Sequence, residues 1–213
     1  MATRPVFAPA AKTNQVDIYQ MDFNWTPGQS TTQQRKNIRA VHEAYRNRFP
    51  DRKVLEISSK SEEPLGVMLS AFNLTKFIPE LGRSIPVECV YQGAKVFAAG
   101  GPYTDLYTAM PRNAKGDPRL KASGRLMGFW FDGTVYPLSP TTAFYNWIYI
   151  GALMEHPELS EPLLQYDGFT DIAFNPAKSL NCQADAAALF VTLARKDLLE
   201  QCRDFQSFVQ LLR

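Results

Sequence analysis

The sequence predicts a single α+β domain, mainly helical, with a few short strands and one β-hairpin. Three observations carry this reading. Apolar residues recur at helical spacing in several segments, most completely over residues 142–155. Strand-like segments are few and do not alternate regularly with helices, which argues against a doubly wound parallel sheet. Asp132-Gly133 lies between aromatic and β-branched residues, a strong short-range hairpin signal. No repeat, low-complexity tract or linker divides the 213 residues, so one domain with a sizeable core is expected.

In chain order, Val16 to Trp25 alternates loosely and reads as a strand closed by Pro27-Gly28. Ser30, Thr31 or Thr32 can cap a helix to about Arg48, burying Ile38, Val41, Tyr45 and Phe49, with His42 structural beside them. Lys53 to Ser59 reads as a strand. Leu65 to Phe72 reads as another, after the Glu62-Glu63-Pro64 turn. Pro86 suits the first turn of a helix that Gly100-Gly101-Pro102 ends. A short helix from Tyr103 to Ala109 and a basic loop or short helix over 113–124 follow. The hairpin spans Leu126 to Leu138. Thr141 or Thr142 caps a central helix to about Glu155, apolar nearly all round. Ser160–Tyr166 reads as a short helix, and Asp171–Phe174 as a strand before Asn175-Pro176. Helices over Asn181–Arg195 and Asp204–Leu212 complete the chain.

Composition narrows the chemistry. The 45% hydrophobic and 12% aromatic content fits a globular protein, and the net charge of +2 argues against wholesale non-specific DNA binding. It leaves room for a local basic patch, for which the Lys/Arg-rich stretch Arg112–Arg125 is the candidate. Neither a signal peptide nor a membrane span is expected. Cys89, Cys182 and Cys202 are odd in number and scattered, as for reduced thiols in the cytoplasm. There is no HExxH, CxxC, GxSxG or GxGxxG motif and no phosphate loop, so no metal or cofactor is expected. Only His42 and His156 could supply imidazole, which leaves carboxylates and lysine as the available catalysts.

Residues 87–97 concentrate such groups. As a helix, this segment puts Glu88, Tyr91, Gln92 and Lys95 on one polar stripe beside an apolar stripe of Val87, Val90, Ala94, Phe97 and Ala98. Glu88 and Lys95 would then stand roughly 10 Å apart along the axis, a span that fits a ligand gripped between them. By periodicity alone the stripe reads as solvated surface rather than as a site.

The motifs themselves resemble a known family. Glu88-Cys89-Val90-Tyr91-Gln92-Gly93-Ala94-Lys95-Val96-Phe97 resembles the Glu-x-x-Tyr-Gln-x-x-Lys-x-Phe segment of the NADAR (YbiA-like) superfamily. Leu69-Ser70-Ala71-Phe72-Asn73 resembles its Leu-Ser-Asn-Phe motif, with Ala71 in place of Asn. Gly124-Arg125 matches a Gly-Arg segment. Phe169-Thr170-Asp171-Ile172 and Asn181-Cys182-Gln183-Ala184 look like the branch of NADAR antitoxins encoded beside DarT toxins, which ADP-ribosylate guanine in nucleic acid. The resemblance covers about residues 54–195. The first 50 residues carry no family motif and read as an elaboration of the same domain.

The resemblance implies a YbiA-like fold and a glycohydrolase that removes ADP-ribose from guanine bases by N-glycosidic hydrolysis, as antitoxin to a DarT-type toxin. Cleaving an anomeric C–N bond builds oxocarbenium character on the ribose and negative charge on the departing base, which carboxyl groups can stabilise, hydrate and protonate. Glu88 is then the candidate for proton transfer, and Asp171 for a second carboxylate that positions water or a ribose hydroxyl. Lys95 can act as a cation on a ribose hydroxyl or phosphate, or as a nucleophile forming a Schiff base with the opened ribose. Candidate substrate contacts are Ser70, Asn73, Tyr91, Gln92, Tyr103, Arg125, Trp147, Asn181 and Gln183. Capping, turn and core-packing roles remain open for Ser70, Asn73, Asn181, Tyr145 and Trp147. The substrate can be DNA, RNA or free nucleotide. Two other readings stand beside this one: an N-glycosidase on riboflavin-pathway intermediates, and a non-enzymatic antitoxin that binds its toxin.

Overall fold

In the computed structural model, which describes residues 1–175 and 179–213, the first sheet starts with an N-terminal hairpin. β1 (Ala2–Pro9) pairs antiparallel with β2 (Val16–Phe23) from Ala2 opposite Phe23 to Pro9 opposite Val16. β9 (Gly168–Thr170) lies between β1 and β3 (Val54–Glu56), antiparallel to the first and parallel to the second, giving the order β2-β1-β9-β3. β1 had no counterpart in the sequence reading, yet it is central to the sheet. Its alternation divides the core: Val6 packs into a cluster with Ile38, Val41 and Tyr45, and Phe7 into the main cluster on the opposite face.

The first cluster is roofed by α1 (Thr31–Arg48). Ser30 caps it: its Oγ accepts from the Gln33 N–H at 3.2 Å, and the Gln33 side chain accepts from the Ser30 N–H. On the main side, α8 (Gln183–Ala194) packs over the sheet and α6 (Ala143–Met154) packs against α8, both largely apolar all round. Among the described residues, no helix is long and apolar enough to cross a membrane.

Several local expectations are corrected. Leu65–Phe72 is not a strand. α2 (Pro64–Met68) takes its start, with Pro64 in the first turn, and the chain then turns tightly, the Asn73 and Leu74 N–H groups both donating to the Ser70 carbonyl at 2.8 Å. The hairpin of β4 (Thr75–Ile78) and β5 (Arg83–Pro86) was not anticipated. The short strand near Asp171 is β9, which ends at Thr170 and leaves Asp171 in the following turn. The helix expected at Ser160–Tyr166 is α7 (Pro157–Leu163), begun by Pro157. Pro176 lies outside the described residues.

The largest correction concerns residues 87–97. α3 (Val87–Gly93) ends before Lys95, and β6 (Lys95–Phe97) follows directly, pairing with β7 (Leu126–Phe131), which in turn pairs with β8 (Thr134–Tyr136) as the expected hairpin. The carbonyls that a continuing helix would use are taken from outside it. Gly93 O accepts from the Tyr103 N–H at 2.8 Å, and Ala94 O from the Trp130 N–H at 2.7 Å. A Cβ on Gly93 would stand 2.5 Å from the Tyr107 ring, so only glycine permits this close crossing. Two short helices, α4 (Pro111–Gly116) and α5 (Arg119–Ala122), occupy the basic stretch.

Candidate active site

Every residue of α3 is buried, including Glu88 and Gln92. Buried polar groups need partners, and these two find each other: Gln92 Nε2 donates to Glu88 Oε1 at 2.8 Å. Because the chain turns into β6 at Lys95, its side chain folds back over α3 instead of pointing a further turn away. Lys95 Nζ donates to Gln92 Oε1 at 2.7 Å and sits 4.5 Å from the centre of the Tyr91 ring. Glu88, Gln92 and Lys95 thus form one connected row.

This row is one wall of a cavity of about 500 Å³. Asp171, on the turn after β9, forms the opposite side with Asn181 and Gln183 at the head of α8. Gln183 is fixed by three bonds. Its Oε1 accepts from the Ala71 N–H at 2.8 Å, and its Nε2 donates to the Ile57 carbonyl at 2.6 Å and to Asp171 Oδ2 at 3.1 Å. Asp171 Oδ1 accepts from the Ala173 N–H at 3.0 Å. Asn181 Nδ2 donates to the Tyr91 hydroxyl. Ser70 closes the floor, and its buried hydroxyl has no hydrogen-bond partner. An unsatisfied buried hydroxyl facing a cavity is a group waiting for a ligand to bond.

The electrostatics of the two sides differ. Burial lowers the Lys95 ammonium from its ordinary range to about 8; Glu88 opposes the shift and Lys115 adds to it. Burial raises the Asp171 carboxyl to about 7, and the Glu56 carboxylate adds to the shift. Lys115 Nζ on α4 stands 3.9 Å from Glu88 Oε2. Burial also pushes the Tyr145 hydroxyl and the Cys182 thiol well above their usual values, so neither supplies an anion.

Of the residues singled out by sequence, Glu88, Lys95, Asp171, Ser70, Tyr91, Gln92, Asn181 and Gln183 line this one cavity. Four others lie elsewhere. Asn73 is exposed and donates to the Val67 carbonyl at 2.8 Å, a turn role. Tyr103 pairs its hydroxyl with Ser123 and lies under the Arg119 guanidinium. Arg125 is exposed on the approach to β7. Trp147 donates to the Cys202 carbonyl at 2.8 Å and packs among Phe131, Tyr136 and Phe205.

The sequence reading did not name Lys115, Phe72, Ser58 or Leu180 as lining. Lys115 had a signal, since it belongs to the basic stretch Arg112–Arg125. The others had none, because they reach the cavity only through turns that bring α2, β3 and α8 together.

Comparison with curated proteins finds no match. The family model for the DarT1-associated NADAR antitoxins matches residues 2–213, a span that takes in the N-terminal hairpin and α1 as well as the cavity. With a match over that extent, the chain belongs to the DarT1-associated NADAR antitoxin family.

Proposed function

We propose that the chain is an N-glycosyl hydrolase that removes ADP-ribose from guanine bases of nucleic acid, and so reverses the modification made by a DarT-type ADP-ribosyltransferase toxin. The observation that carries the proposal is the convergence of Glu88, Lys95 and Asp171 on one cavity, with a lysine partly stripped of its proton near neutral pH. About 500 Å³ is within the size range of small-molecule sites and suits a nucleotide-sized ligand. The family name pairs such proteins with DarT1 toxins, which supports the choice of modified nucleic acid as substrate.

In this mechanism Lys95 Nζ attacks C1′ of the ribose. The C1′–N bond to the base breaks, its electron pair goes to the base nitrogen, and a carboxyl group in the cavity protonates that nitrogen. The lysine adduct opens to a Schiff base, which water hydrolyses to ADP-ribose and free amine. Glu88 holds the Gln92 amide that accepts from Lys95 Nζ, and its carboxylate takes up and returns protons on the Lys95 side of the cavity. Lys115 and the unpaired Ser70 hydroxyl bind the polar body of the substrate.

The test is release of ADP-ribose, read by mass spectrometry, from an oligonucleotide carrying ADP-ribosylated guanine. Wild-type protein should restore the unmodified base. Glu88→Gln should lose turnover while still binding ADP-ribose; unchanged turnover would remove Glu88 from the chemistry. A variant that has lost turnover on the oligonucleotide and still protects cells from the toxin equally well would mark the protein as a binder and not a hydrolase.

A further inference from the structure

Behind the cavity wall lies a second carboxyl group. Glu56, at the end of β3, is 1% exposed and does not line the cavity. Its oxygens take three donors. Oε1 accepts from Ser58 Oγ at 2.7 Å and from the Ile172 N–H at 2.9 Å, and Oε2 accepts from Thr170 Oγ1 at 2.6 Å. The parallel pairing of β3 with β9 sets Glu56 opposite Thr170, directly before Asp171. Because the Thr170 proton goes to Glu56, the His42 Nε2 atom 2.8 Å from Thr170 Oγ1 must be the donor in that contact.

Burial raises the Glu56 carboxyl, and the Ile172 N–H and the Thr170 and Ser58 hydroxyls lower it again; with all three donors aimed at its oxygens, Glu56 is accommodated as a carboxylate. Among the described residues no ion pair reaches it. His42, which shares the Thr170 hydroxyl with Glu56, is held neutral: burial and then Arg46 lower its pKa to about 4. A buried anion without a counter-ion repels a second one beside it. Asp171 has two longer contacts, 3.0 Å from Ala173 and 3.1 Å from Gln183, so of the two carboxyls it is the one less able to stay charged.

We propose that Glu56 is a positioning residue: it keeps Asp171 in the acid form, and Asp171 delivers its proton to the departing base. The destination of that proton rests on the glycohydrolase reading; the state of Asp171 does not. When the C1′–N bond breaks towards the base nitrogen, Asp171 gives it a proton and becomes the carboxylate. When water later releases the sugar from Lys95, the surplus proton returns to Asp171. The role of Glu88 is then confined to the Lys95 side.

Other groups facing Asp171 act against or alongside Glu56. Lys115, reaching in from α4, favours the charged form, as do the Ala173 N–H and the Gln183 amide. Glu88 on α3 lines the same cavity. Tyr145 and Tyr149 on α6 and Cys182 before α8 stay neutral, their pKa values pushed well up by burial.

The experiment is a titration of the Asp171 side-chain carbon by NMR in the ligand-free protein, assigned by its loss in Asp171→Asn, alongside the pH profile of kcat/KM. Two variants are compared. Glu56→Gln removes the charge and keeps the size. Thr170→Val removes one donor from Glu56, so that the proton moves towards it. Both should shift the Asp171 midpoint to lower pH by about one unit, with the alkaline limb of the activity profile moving with it and the rate at pH 8 dropping roughly tenfold. An unshifted midpoint in folded Glu56→Gln and Thr170→Val, or a wild-type midpoint in the ordinary aspartate range, overturns the role of Glu56. A shifted midpoint with a fixed activity limb overturns proton delivery by Asp171. Absence of any turnover on ADP-ribosylated guanine sinks the glycohydrolase reading alone, and the carboxyl titration still decides what Glu56 does.

Discussion

Glu88 and Lys95 are joined through a single amide. Gln92 donates to Glu88 Oε1 at 2.8 Å from one end and accepts from Lys95 Nζ at 2.7 Å at the other. A side-chain amide can do both at once, from two different atoms. Replacing it by leucine keeps the volume and leaves both charged groups short of a partner. Gln92→Leu should lower kcat by about 10- to 100-fold, since hydrogen bonds to charged groups contribute roughly 1.5–3 kcal/mol each. KM should change little. A kcat within threefold of wild type, measured on correctly folded protein, would mean that the row is a packing feature only.

Lys95 carries a second prediction. With its pKa brought down to about 8 by burial, roughly one molecule in ten has the neutral amine at pH 7, and most have it at pH 9. Borohydride trapping with ADP-ribose itself, whose aldehyde reaches Lys95 without a departing base to protonate, should therefore give an adduct whose yield climbs between those pH values. The adduct should vanish in both Lys95→Ala and Lys95→Arg. A yield that does not depend on pH, or an adduct surviving in Lys95→Ala, would exclude Lys95 as nucleophile; near-normal turnover in that variant would exclude it from catalysis altogether.

The history of Lys95 shows which parts of the fold can be read in a sequence. α1, α6 and α8 and the β7–β8 hairpin were legible because their signals are local: the Ser30 capping box, sustained apolar periodicity, and Asp132-Gly133 with both residues at positive φ. The break between Gly93 and Lys95 is not local. It depends on Tyr103 and Trp130 donating to α3 carbonyls, and on a tyrosine ring packing where Gly93 has no side chain. β1 was missed because its partner β9 lies far along the chain and Pro5 and Pro9 disguise its pattern. At the site, the spacing of Glu88, Gln92 and Lys95 was visible, whereas the placement of Asp171 opposite them needed β3 and β9 to pair.

Lys115 provides a third test, on a residue that helical spacing could not place at the site. Its side chain is largely exposed, with the ammonium 3.9 Å from Glu88 Oε2 and 5.5 Å from the centre of the Phe72 ring. The ammonium is in solvent and 3.9 Å is a long separation, although Glu88 is buried, so Lys115→Ala should leave stability within about 1 kcal/mol of wild type. KM for the ADP-ribosylated substrate should rise several-fold, and its salt dependence should weaken because a cation facing the anionic ligand has been lost. Unaltered KM and salt dependence would place Lys115 outside the substrate path.

Asp171 makes the connection between site and stability measurable. Its carboxyl is raised from 3.8 to about 7, through burial first and the charge on Glu56 second. Between those pH values the folded chain holds a proton that the unfolded chain has released. The contribution of Asp171 to stability therefore falls as pH rises through that window. Asparagine has no such proton. In Asp171→Asn the amide can still accept from the Ala173 N–H, but its NH₂ faces the Gln183 Nε2 donor, a mismatch that adds a constant offset at every pH. The quantity to measure is thus the slope. The stability of Asp171→Asn relative to wild type should improve steadily from pH 4 to pH 7 and level off above, by at most roughly 4 kcal/mol at 1.36 kcal/mol per pKa unit, and by less where solvent in the cavity screens the charge. His42 titrates in both proteins and cancels to first order, and the interaction of Glu56 with Asp171 is part of the difference that is measured. Denaturant unfolding of the two proteins across that range decides the matter: parallel stability curves would mean that Asp171 holds no displaced proton, and the cavity would then lack the acid that the departing base requires.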